Sequence, residues 1–173
     1  DEAQNQFLLG LISLENRALA ERIFWGICWK IEKLSTRLKL ISEEIRSLKT
    51  RLADKYFCNF SVFQSVPDSW AIDQIFPVVP IYRLNEEPNR EATIEDITCD
   101  SDGRIENFIG THRGTESTLR VHELEQNENY PLCIFLTGAY QEILGDLHNL
   151  FGDTNTFHIS MQDDGSLKYE QII

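Results

Sequence analysis

"IRSLKTRLADKYFCNF", residues 45–60, spans the point at which the sequence changes from a helical pattern to a strand pattern. Before Asp54, the apolar residues Ile45, Leu48 and Leu52 recur at the three- and four-residue spacing of one helix face. After Asp54, Tyr56 begins a series of short apolar runs that proline, glycine and asparagine interrupt. This change of pattern predicts an α+β protein in which helices come first and strands follow.

The helical pattern extends upstream as a seam of apolar residues at alternating spacings of three and four. Its members are Ile31, Leu34, Leu38, Ile41, Ile45, Leu48 and Leu52. The unbroken heptad favours a continuous helix that packs on one side, although Ser35-Thr36 can kink it. We interpret the seam as part of a helical bundle. A coiled-coil dimerisation arm is the alternative, and it is disfavoured because the seam is little more than three heptads long.

The stretch upstream of the seam, residues 7–29, is apolar on more than one face. Phe24, Trp25 and Trp29 lie close together within it. A helix that is apolar on several faces is expected to be buried between other helices. We therefore predict a helical-bundle segment over residues 1–55.

Residues 56–173 contain several short strand-like runs at a spacing of roughly ten residues, which is typical of a β-barrel or a β-sandwich. The first run, "YFCNFSVFQS" (residues 56–65), predicts a strand. "AYQEILGDLHNLF" (residues 139–151) has helical spacing and predicts one inserted helix that starts directly after Gly138. A glycine at a helix N-terminus offers backbone N–H groups to an anion such as a phosphate, although ordinary packing also requires glycine at such places.

The net charge of −12 is unevenly distributed, because residues 1–55 carry ten Lys/Arg and eight Asp/Glu, whereas the remainder carries six and twenty. A negative field of this kind argues against nucleic acid as a partner, and it suits either a cationic ligand or solubility alone. No apolar run is long enough to span a membrane. The four histidines form no His-Glu-x-x-His pattern, so a transition-metal site is not expected.

The four cysteines, at positions 28, 58, 99 and 133, include no closely spaced pair of the kind found in zinc or redox motifs. They are expected to be free thiols in a reducing compartment, and we predict a cytoplasmic protein. Cys28 and Cys133 lie on apolar stretches and are expected to be inert in the core.

Cys99 lies in "DITCDSDGRI" (residues 96–105), between carboxylates and directly before an Asp-Gly turn. Neighbouring negative charges disfavour a thiolate, so this thiol is better suited to donating a proton than to acting as a resting nucleophile. The adjacent Asp100 can fix a cationic group. The alternative is a cysteine at a strand end followed by an acidic turn without chemistry, and the spacing alone leaves both readings open.

Several stretches resemble the biosynthetic arginine decarboxylases, which are pyridoxal-phosphate enzymes of the alanine-racemase-like fold type. They are "SLENRALAER" (13–22), "RLADKYF" (51–57), "NFSVFQSVPDSWAIDQIFPVVPIYRLNEEP" (59–88), "ITCDSDG" (97–103) and "GAYQEILGDLHNLFGD" (138–153). The Cys-Asp and Gly-Ala-Tyr motifs resemble the wider ornithine and diaminopimelate decarboxylase group, whereas the combined motifs resemble the arginine branch.

The resemblance implies a subunit with a (β/α)₈ cofactor barrel, a Greek-key β-domain and an added helical bundle. This chain matches the last two, over residues 56–173 and 1–55, and contains neither the barrel repeats nor the lysine that binds the cofactor. Pyridoxal phosphate and Mg²⁺ are the cofactors that the resemblance implies, and no magnesium ligands are identified in the chain. Activity of this chain alone is therefore not expected.

The resemblance also implies roles for individual residues. Cys99 resembles the thiol that protonates the α-carbon after carbon dioxide leaves, and Asp100 resembles the carboxylate that holds the distal end of the substrate. Asp102 is similar to the second acid of that motif. Tyr140, beside Gly138, resembles the tyrosine that reaches the cofactor phosphate. In that family the Cys-Asp loop enters the site of the neighbouring subunit, which implies a homodimer or a higher homo-oligomer.

We therefore predict the C-terminal part of an enzyme that converts L-arginine to agmatine and carbon dioxide in polyamine (putrescine and spermidine) biosynthesis. The alternative is a non-catalytic dimerisation or regulatory fragment of a decarboxylase. Asp100 alone does not distinguish arginine from ornithine or another diamino acid as the substrate.

Overall fold

The computed structural model of the chain describes residues 1–35, 42–110, 114–150 and 152–172. They divide into two compact units, Asp1–Ala53 and Asp54–Ile173. The division falls two residues before the predicted end of the helical segment at residue 55, because Asp54 and Lys55 begin the first strand. The first unit is helical and the second is rich in strands, so the predicted α+β class is confirmed.

The first unit contains three helices, α1 (Glu2–Leu8), α2 (Leu14–Ser35) and α3 (Glu43–Leu52). Ser42, which precedes α3, has an extended backbone with φ −72° and ψ 163°. The prediction of one continuous helix along the heptad is therefore wrong, because the backbone of Ser42 is not helical. Leu38 and Ile41 of the predicted seam lie outside the described residues.

The apolar side chains of α2 are largely exposed, contrary to the expectation of burial between helices. Phe24, Trp25 and Trp29 are between 40% and 52% exposed, and the buried residues of α2 are Cys28 and Ser35. The short helices α1 and α3 contact α2 but are too short to cover a 22-residue helix that is apolar on several faces. Among the described residues, no helix combines the length and apolar character that crossing a membrane requires.

The second unit contains short strands and short helices. Its strands are β1 (Asp54–Phe57), β2 (Val78–Pro80), β3 (Arg90–Glu95), β4 (Arg104–Ile105), β5 (Phe108–Ile109), β6 (Thr115–Glu116), β7 (Leu119–Val121), β8 (Leu132–Ile134), β9 (Thr156–Met161) and β10 (Leu167–Ile172). Its helices are α4 (Val62–Ser65), α5 (Pro67–Ala71) and α6 (Ala139–Leu144). Helices α4 and α5 lie among the strands in addition to the inserted helix predicted after Gly138.

Strand β3 is the centre of the four-stranded sheet. It pairs in parallel with β1, and antiparallel with β4 and β7. The other strands form the antiparallel pairs β2–β8, β5–β6 and β9–β10. Within the described part of the chain these strands do not close into a barrel, and no succession of eight strand-helix repeats occurs.

The core of the second unit lies against β3, in which four consecutive residues, 92–95, are buried. Burial of successive residues on both faces is typical of a central strand with cover on each side. The buried side chains of the core are Tyr56, Phe60, Val62, Val66, Phe76, Val78, Ala92, Ile94, Ile105, Phe108 and Val121. Val62 of α4 and its C-cap residue Val66 belong to this core, so the helix packs on the sheet through its apolar side.

Two local predictions were wrong in extent. The run at residues 56–65 is a strand only as far as Phe57, and it then forms α4, whose N-cap Ser61 accepts a hydrogen bond from the Gln64 N–H at 3.3 Å. The inserted helix ends at Leu144 instead of continuing to Phe151, which lies outside the described residues. Gly145 follows, at a point where a Cβ would lie 2.0 Å from the Gln64 carbonyl oxygen.

Candidate functional site

Residues 96–103 form a loop between β3 and β4, which we call the thiol loop. The Asp96 N–H donates to the Gly103 carbonyl at 2.7 Å, which closes the base of the loop where the strands diverge. Cys99 and Asp100 lie at its exposed end. The sequence predicted this transition from strand to loop, and the structure places both residues on a loop that a buried strand supports.

Asp96 anchors the thiol loop from inside the protein, and sequence reasoning did not identify it. Its side chain is 5% exposed. One carboxylate oxygen accepts from the Thr98 N–H at 3.1 Å and from the Thr98 hydroxyl at 2.8 Å. The other accepts from the N–H of Val62, the first residue of α4, at 2.9 Å. A buried carboxylate requires such donors, and here they join the loop to α4.

Gly103 is required by the close approach of Asp96. A Cβ at this position would lie 2.0 Å from the Asp96 carboxylate oxygen Oδ1, well inside van der Waals contact. Asp96 cannot easily move away, because its oxygens accept hydrogen bonds from Val62 and Thr98. The glycine of the Asp-Gly pair therefore does more than permit a turn, since it leaves room for the buried carboxylate.

The two acids that follow Cys99 have different surroundings. The Asp100 carboxylate accepts a hydrogen bond from the Asp102 N–H at 3.0 Å, which orients it at the exposed end of the loop. A carboxylate held in this way can bind a planar guanidinium through two parallel hydrogen bonds. Asp102 lines a cavity of about 260 Å³ together with Trp70 and Asp73. The geometry therefore gives the two acids separate environments.

The thiol of Cys99 donates a hydrogen bond to the side-chain carbonyl oxygen Oδ1 of Asn149 at 3.4 Å. All four cysteines are free, as predicted, and Cys99 is the exposed one among them. Burial raises the pKa of Cys58 to about 11 and also raises the pKa of Cys133, which is half-buried. Cys99 is thus the most exposed of the four thiols.

Gly138 and Tyr140 lie at the start of α6, where the sequence placed them. Gly138 is the N-cap with an extended backbone, and a Cβ there would meet nothing within 4 Å, so neither backbone conformation nor local packing requires a glycine. Tyr140 is 75% exposed. With six residues, α6 is too short to support the helix-terminus argument for a phosphate site that a longer helix suggested.

Side-chain hydrogen bonds join α6 to α5, and the segment after α6 to α4, the helix that supports the thiol loop. The buried Gln141 side chain accepts from the Asp68 N–H at 3.2 Å and donates to the Asp68 carboxylate at 2.6 Å. The Gln64 side chain of α4 donates to the Asp153 carboxylate at 2.7 Å. Among the described residues no hydrogen bond joins Gly138 or Tyr140 to the thiol loop, which instead meets this part of the chain through Asn149.

The buried His122 is engaged in the interior of the second unit. Its Nε2 lies 3.1 Å from the Glu86 carbonyl oxygen, and its Nδ1 lies 2.6 Å from the Tyr130 hydroxyl. Both ring nitrogens are therefore used in structural contacts. Within the four described ranges of the chain, no three His, Cys, Asp or Glu side chains come together as a metal site would need.

Comparison with known proteins matches both units. Residues 1–49 match the family model of the arginine decarboxylase helical bundle domain. The chain is 56% identical to the biosynthetic arginine decarboxylase of Bacteroides thetaiotaomicron, over all of this chain and 27% of that protein. It is 46% identical to the biosynthetic arginine decarboxylase of Pseudomonas aeruginosa, over 99% of this chain and 27% of that protein.

A solved structure shows the same fold. The crystal structure of the biosynthetic arginine decarboxylase from Campylobacter jejuni superposes with a TM-score of 0.69 at 37% identity, covering 99% of this chain and 26% of that one. The chain spans about a quarter of the length of the relatives that it matches. The resemblance to the biosynthetic arginine decarboxylases that the sequence motifs indicated is confirmed over both units of the chain.

Proposed function

We propose that this chain is the C-terminal part of a cytoplasmic enzyme that converts L-arginine to agmatine and carbon dioxide in polyamine (putrescine and spermidine) biosynthesis. The relatives named above are called biosynthetic arginine decarboxylases, and this chain matches about a quarter of their length. The observation that carries the proposal is the thiol loop, where an exposed thiol and an exposed carboxylate adjoin on a loop anchored by buried Asp96. The rest of the catalytic machinery lies on residues outside this chain.

Pyridoxal phosphate, when bound, supplies an electron sink for the carbon that loses carbon dioxide. The residues here fit a contact to its phosphate and no more. Tyr140 presents an exposed hydroxyl, and Gly138 leaves its backbone open to close approach. The lysine that binds the cofactor belongs to a barrel domain of the same protein, beyond these 173 residues. Mg²⁺ is a further cofactor of the proposal, without assigned ligands.

Cys99 is proposed to donate its proton to the α-carbon after carbon dioxide has left. A proton donor must present an S–H group to the reacting carbon, and the thiol of Cys99 lies at the exposed end of its loop. The exposure of Cys99 leaves the sulfur accessible to a substrate presented from outside this chain. Proton transfer by a positioned side chain typically contributes a factor of about 10²–10⁴ in rate.

Asp100 is proposed to bind the guanidinium group of arginine. Its carboxylate is oriented by the Asp102 N–H at 3.0 Å, so the geometry is fixed before a substrate arrives. A hydrogen bond to a charged group contributes about 1.5–3 kcal/mol, which corresponds to one to two powers of ten in affinity. In a homodimer, the thiol loop of one subunit would complete the site that the barrel of the other subunit provides.

The test measures decarboxylation of arginine, ornithine and lysine by the complete protein that contains this chain. We expect arginine to be the preferred substrate. Asp100→Asn is expected to lower kcat/KM for arginine by about tenfold to a hundredfold, because the neutral amide cannot pair with a guanidinium. Asp163→Asn, on an exposed turn of the β9–β10 hairpin, removes the same charge elsewhere and is expected to have no effect.

Two outcomes would contradict these assignments. A preference for ornithine would overturn arginine as the substrate. An equal loss of cofactor affinity and arginine use in Asp100→Asn would overturn the substrate role of Asp100. The shared site is tested separately by mixing Cys99→Ala subunits with subunits that lack the barrel lysine, since verified mixed dimers are expected to regain activity.

The second candidate is a non-catalytic dimerisation or regulatory role for this chain. The observation that favours it is the exposed apolar surface of α2, which includes Ile23, Phe24 and Trp29 and offers a docking surface for another chain. Two measurements, decarboxylation by the complete protein and association of this chain with a decarboxylase barrel, distinguish the two candidate functions. Absence of decarboxylation by the complete protein, together with stable association of this chain with a decarboxylase barrel, would favour the second.

A further inference from the structure

The hydrogen bond between Cys99 and Asn149 joins residues that lie 50 positions apart in the sequence. Its donor is on the thiol loop, and its acceptor follows α6. The proposed function uses Cys99 as a proton donor but leaves Asn149 without a role. The geometry of the Cys99–Asn149 pair, and of the residues that hold both partners in place, assigns a role to Asn149.

Asn149 occupies a backbone conformation that most residues avoid. Its φ is 55°, in the left-handed region, where asparagine is several-fold better tolerated than other residues with a Cβ. Leu150 follows with a φ of 59°, which is unfavourable for a leucine. The chain therefore adopts two consecutive left-handed residues at the point where the Asn149 side chain reaches the thiol.

The neighbouring residues hold this segment against α4. The ring of His148 packs on Phe63 with centroids 4.7 Å apart, and Gly145 approaches the Gln64 carbonyl oxygen where no Cβ would fit. The thiol loop is fixed to the same helix through Asp96 and the Val62 N–H. The segments that carry the two partners of the hydrogen bond are thus both in contact with α4.

A side-chain amide oxygen acts on a thiol in a defined way. It accepts the S–H proton, which favours the protonated thiol over the thiolate and restricts the direction in which the sulfur presents its hydrogen. A proton donor benefits from both effects, because it must hold a proton at rest and point it at one atom.

We propose that Asn149 is a positioning residue that holds the S–H group of Cys99 in one orientation for proton donation. This proposal rests on the proposed function for the meaning of the proton, but the interaction itself is testable without catalysis. No bond to Asn149 forms or breaks in the reaction, since its amide only accepts the hydrogen bond that Cys99 donates.

The test is the rate at which iodoacetamide alkylates Cys99 in the full chain, followed by mass spectrometry of the peptide that contains it. Asn149→Gly keeps a residue suited to the left-handed backbone and removes the amide. Asn149→Asp keeps an acceptor oxygen. The matched control is Asn127→Gly, which makes the same replacement at another exposed residue with a left-handed φ, 63°.

At about pH 7, where thiols are mostly protonated, we expect Asn149→Gly to raise the alkylation rate of Cys99 by about two- to tenfold. Asn149→Asp and Asn127→Gly are expected to show no increase. At about pH 10.5, where thiols are mostly ionised, the increase in Asn149→Gly should disappear, because the hydrogen bond then has no proton to hold.

Three results would overturn the proposal. They are an unchanged rate in Asn149→Gly at neutral pH, an equal increase in Asn127→Gly, and an increase that persists at high pH, which would indicate a loosened loop instead of a lost hydrogen bond. Because alkylation is read on this chain directly, the result stands whether or not the complete protein decarboxylates arginine. In an active enzyme, Asn149→Gly should lower kcat by a larger factor than it raises KM. Asn149→Asp, which keeps an acceptor oxygen, should retain part of the kcat that Asn149→Gly loses.

Discussion

Helix α2 and strand β3 are both rich in apolar side chains, yet the structure exposes those of α2 and buries those of β3. Residues 92–95 of β3 are buried in succession, with paired strands at both edges of β3 and Val62 of α4 in the same core. In α2 the buried residues are Cys28 and Ser35. The second unit thus has its own core, whereas the first has apolar surface that its own helices leave uncovered.

This difference shows which of the two units buries its apolar side chains within itself. The chain spans about a quarter of the length of the relatives that it matches. The β unit contains both its own core and the buried anchor of the thiol loop. The same isoleucine-to-alanine change, made in each unit, provides the sharpest comparison.

The largest effect is expected for Ile94→Ala in β3. Ile94 is 2% exposed and pairs with Tyr56 of β1 and Ile105 of β4. Removing its side chain leaves a cavity between strands, which should lower the free energy of unfolding of the β unit by about 2–5 kcal/mol. Amide hydrogen exchange of β3, followed as a function of urea concentration, measures this change in the free energy of unfolding. A loss below about 1 kcal/mol would mean that the core can collapse around the site.

The next effect concerns the buried anchor. Gly103→Ala places a Cβ against the Asp96 carboxylate, so either the loop shifts or Asp96 gives up hydrogen bonds to Thr98 or Val62. We expect a loss of about 1–3 kcal/mol in the stability of the β unit. Faster exchange of the Val62 amide would locate the damage. Gly114→Ala is the control, since a Cβ there would meet nothing within 4 Å.

A smaller effect depends on pH and on Cys58, which packs against the core of the β unit. Burial raises its pKa to about 11 in the folded chain. At neutral pH the thiol is protonated in both the folded and the unfolded chain, so it adds nothing to the pH dependence of stability. As pH rises from the ordinary thiol pKa towards 11, the unfolded chain loses this proton first, so stability should fall by no more than about 2 kcal/mol.

The measurement for Cys58 is the difference between the stability curves of the parent chain and Cys58→Ala. Other groups titrate in the same range, and the subtraction removes their contribution. The parent chain is expected to lose more stability than Cys58→Ala between about pH 8.5 and 11. Parallel curves would show that the thiol is as accessible in the folded chain as in the unfolded one.

The smallest effect is expected for Ile23→Ala in α2. Ile23 is 55% exposed, and alanine has a higher helix propensity than isoleucine. The two effects nearly cancel, so the stability of the helical unit should change by less than about 0.5 kcal/mol. Thermal unfolding followed by circular dichroism at the helix band tests this. A loss comparable to that of Ile94→Ala would show that α2 is buried in solution, for example by self-association.

The elements that the sequence predicted correctly are those that local pattern specifies. The start of α6 after Gly138 and the strand-to-loop transition before Cys99 follow from hydrophobic spacing and turn residues. Helix α4 was missed although Ser61 and Gln64 form its local N-cap, and the Asp96 carboxylate, which accepts from the Val62 N–H, adds a tertiary contact. The early end of α6 likewise depends on the approach of Gly145 to Gln64, which spacing along the chain cannot reveal.

The motif of the candidate site could be predicted from the sequence, but the residues that hold the thiol loop in place could not. Cys99, Asp100 and Asp102 stand out as a thiol among acids, and the family resemblance gives them roles that stay predictions. Asp96 belongs to the same acidic run, and nothing in its local sequence distinguishes a buried anchor from an exposed acid. Asn149 was visible only as part of a motif, because its partner lies 50 positions away.

The parallel pairing of β1 with β3 bears on how the chain folds. It joins Asp54 to Ala92, so the polypeptide must travel through α4, α5 and β2 before this part of the sheet can form. Closing such a long segment costs chain entropy before any contact compensates for it, and parallel pairs of this kind form slowly. Until β1 docks, the edge of β3 remains unpaired and open to other strands. Assembly of the β unit is therefore expected to be its slow and aggregation-prone stage.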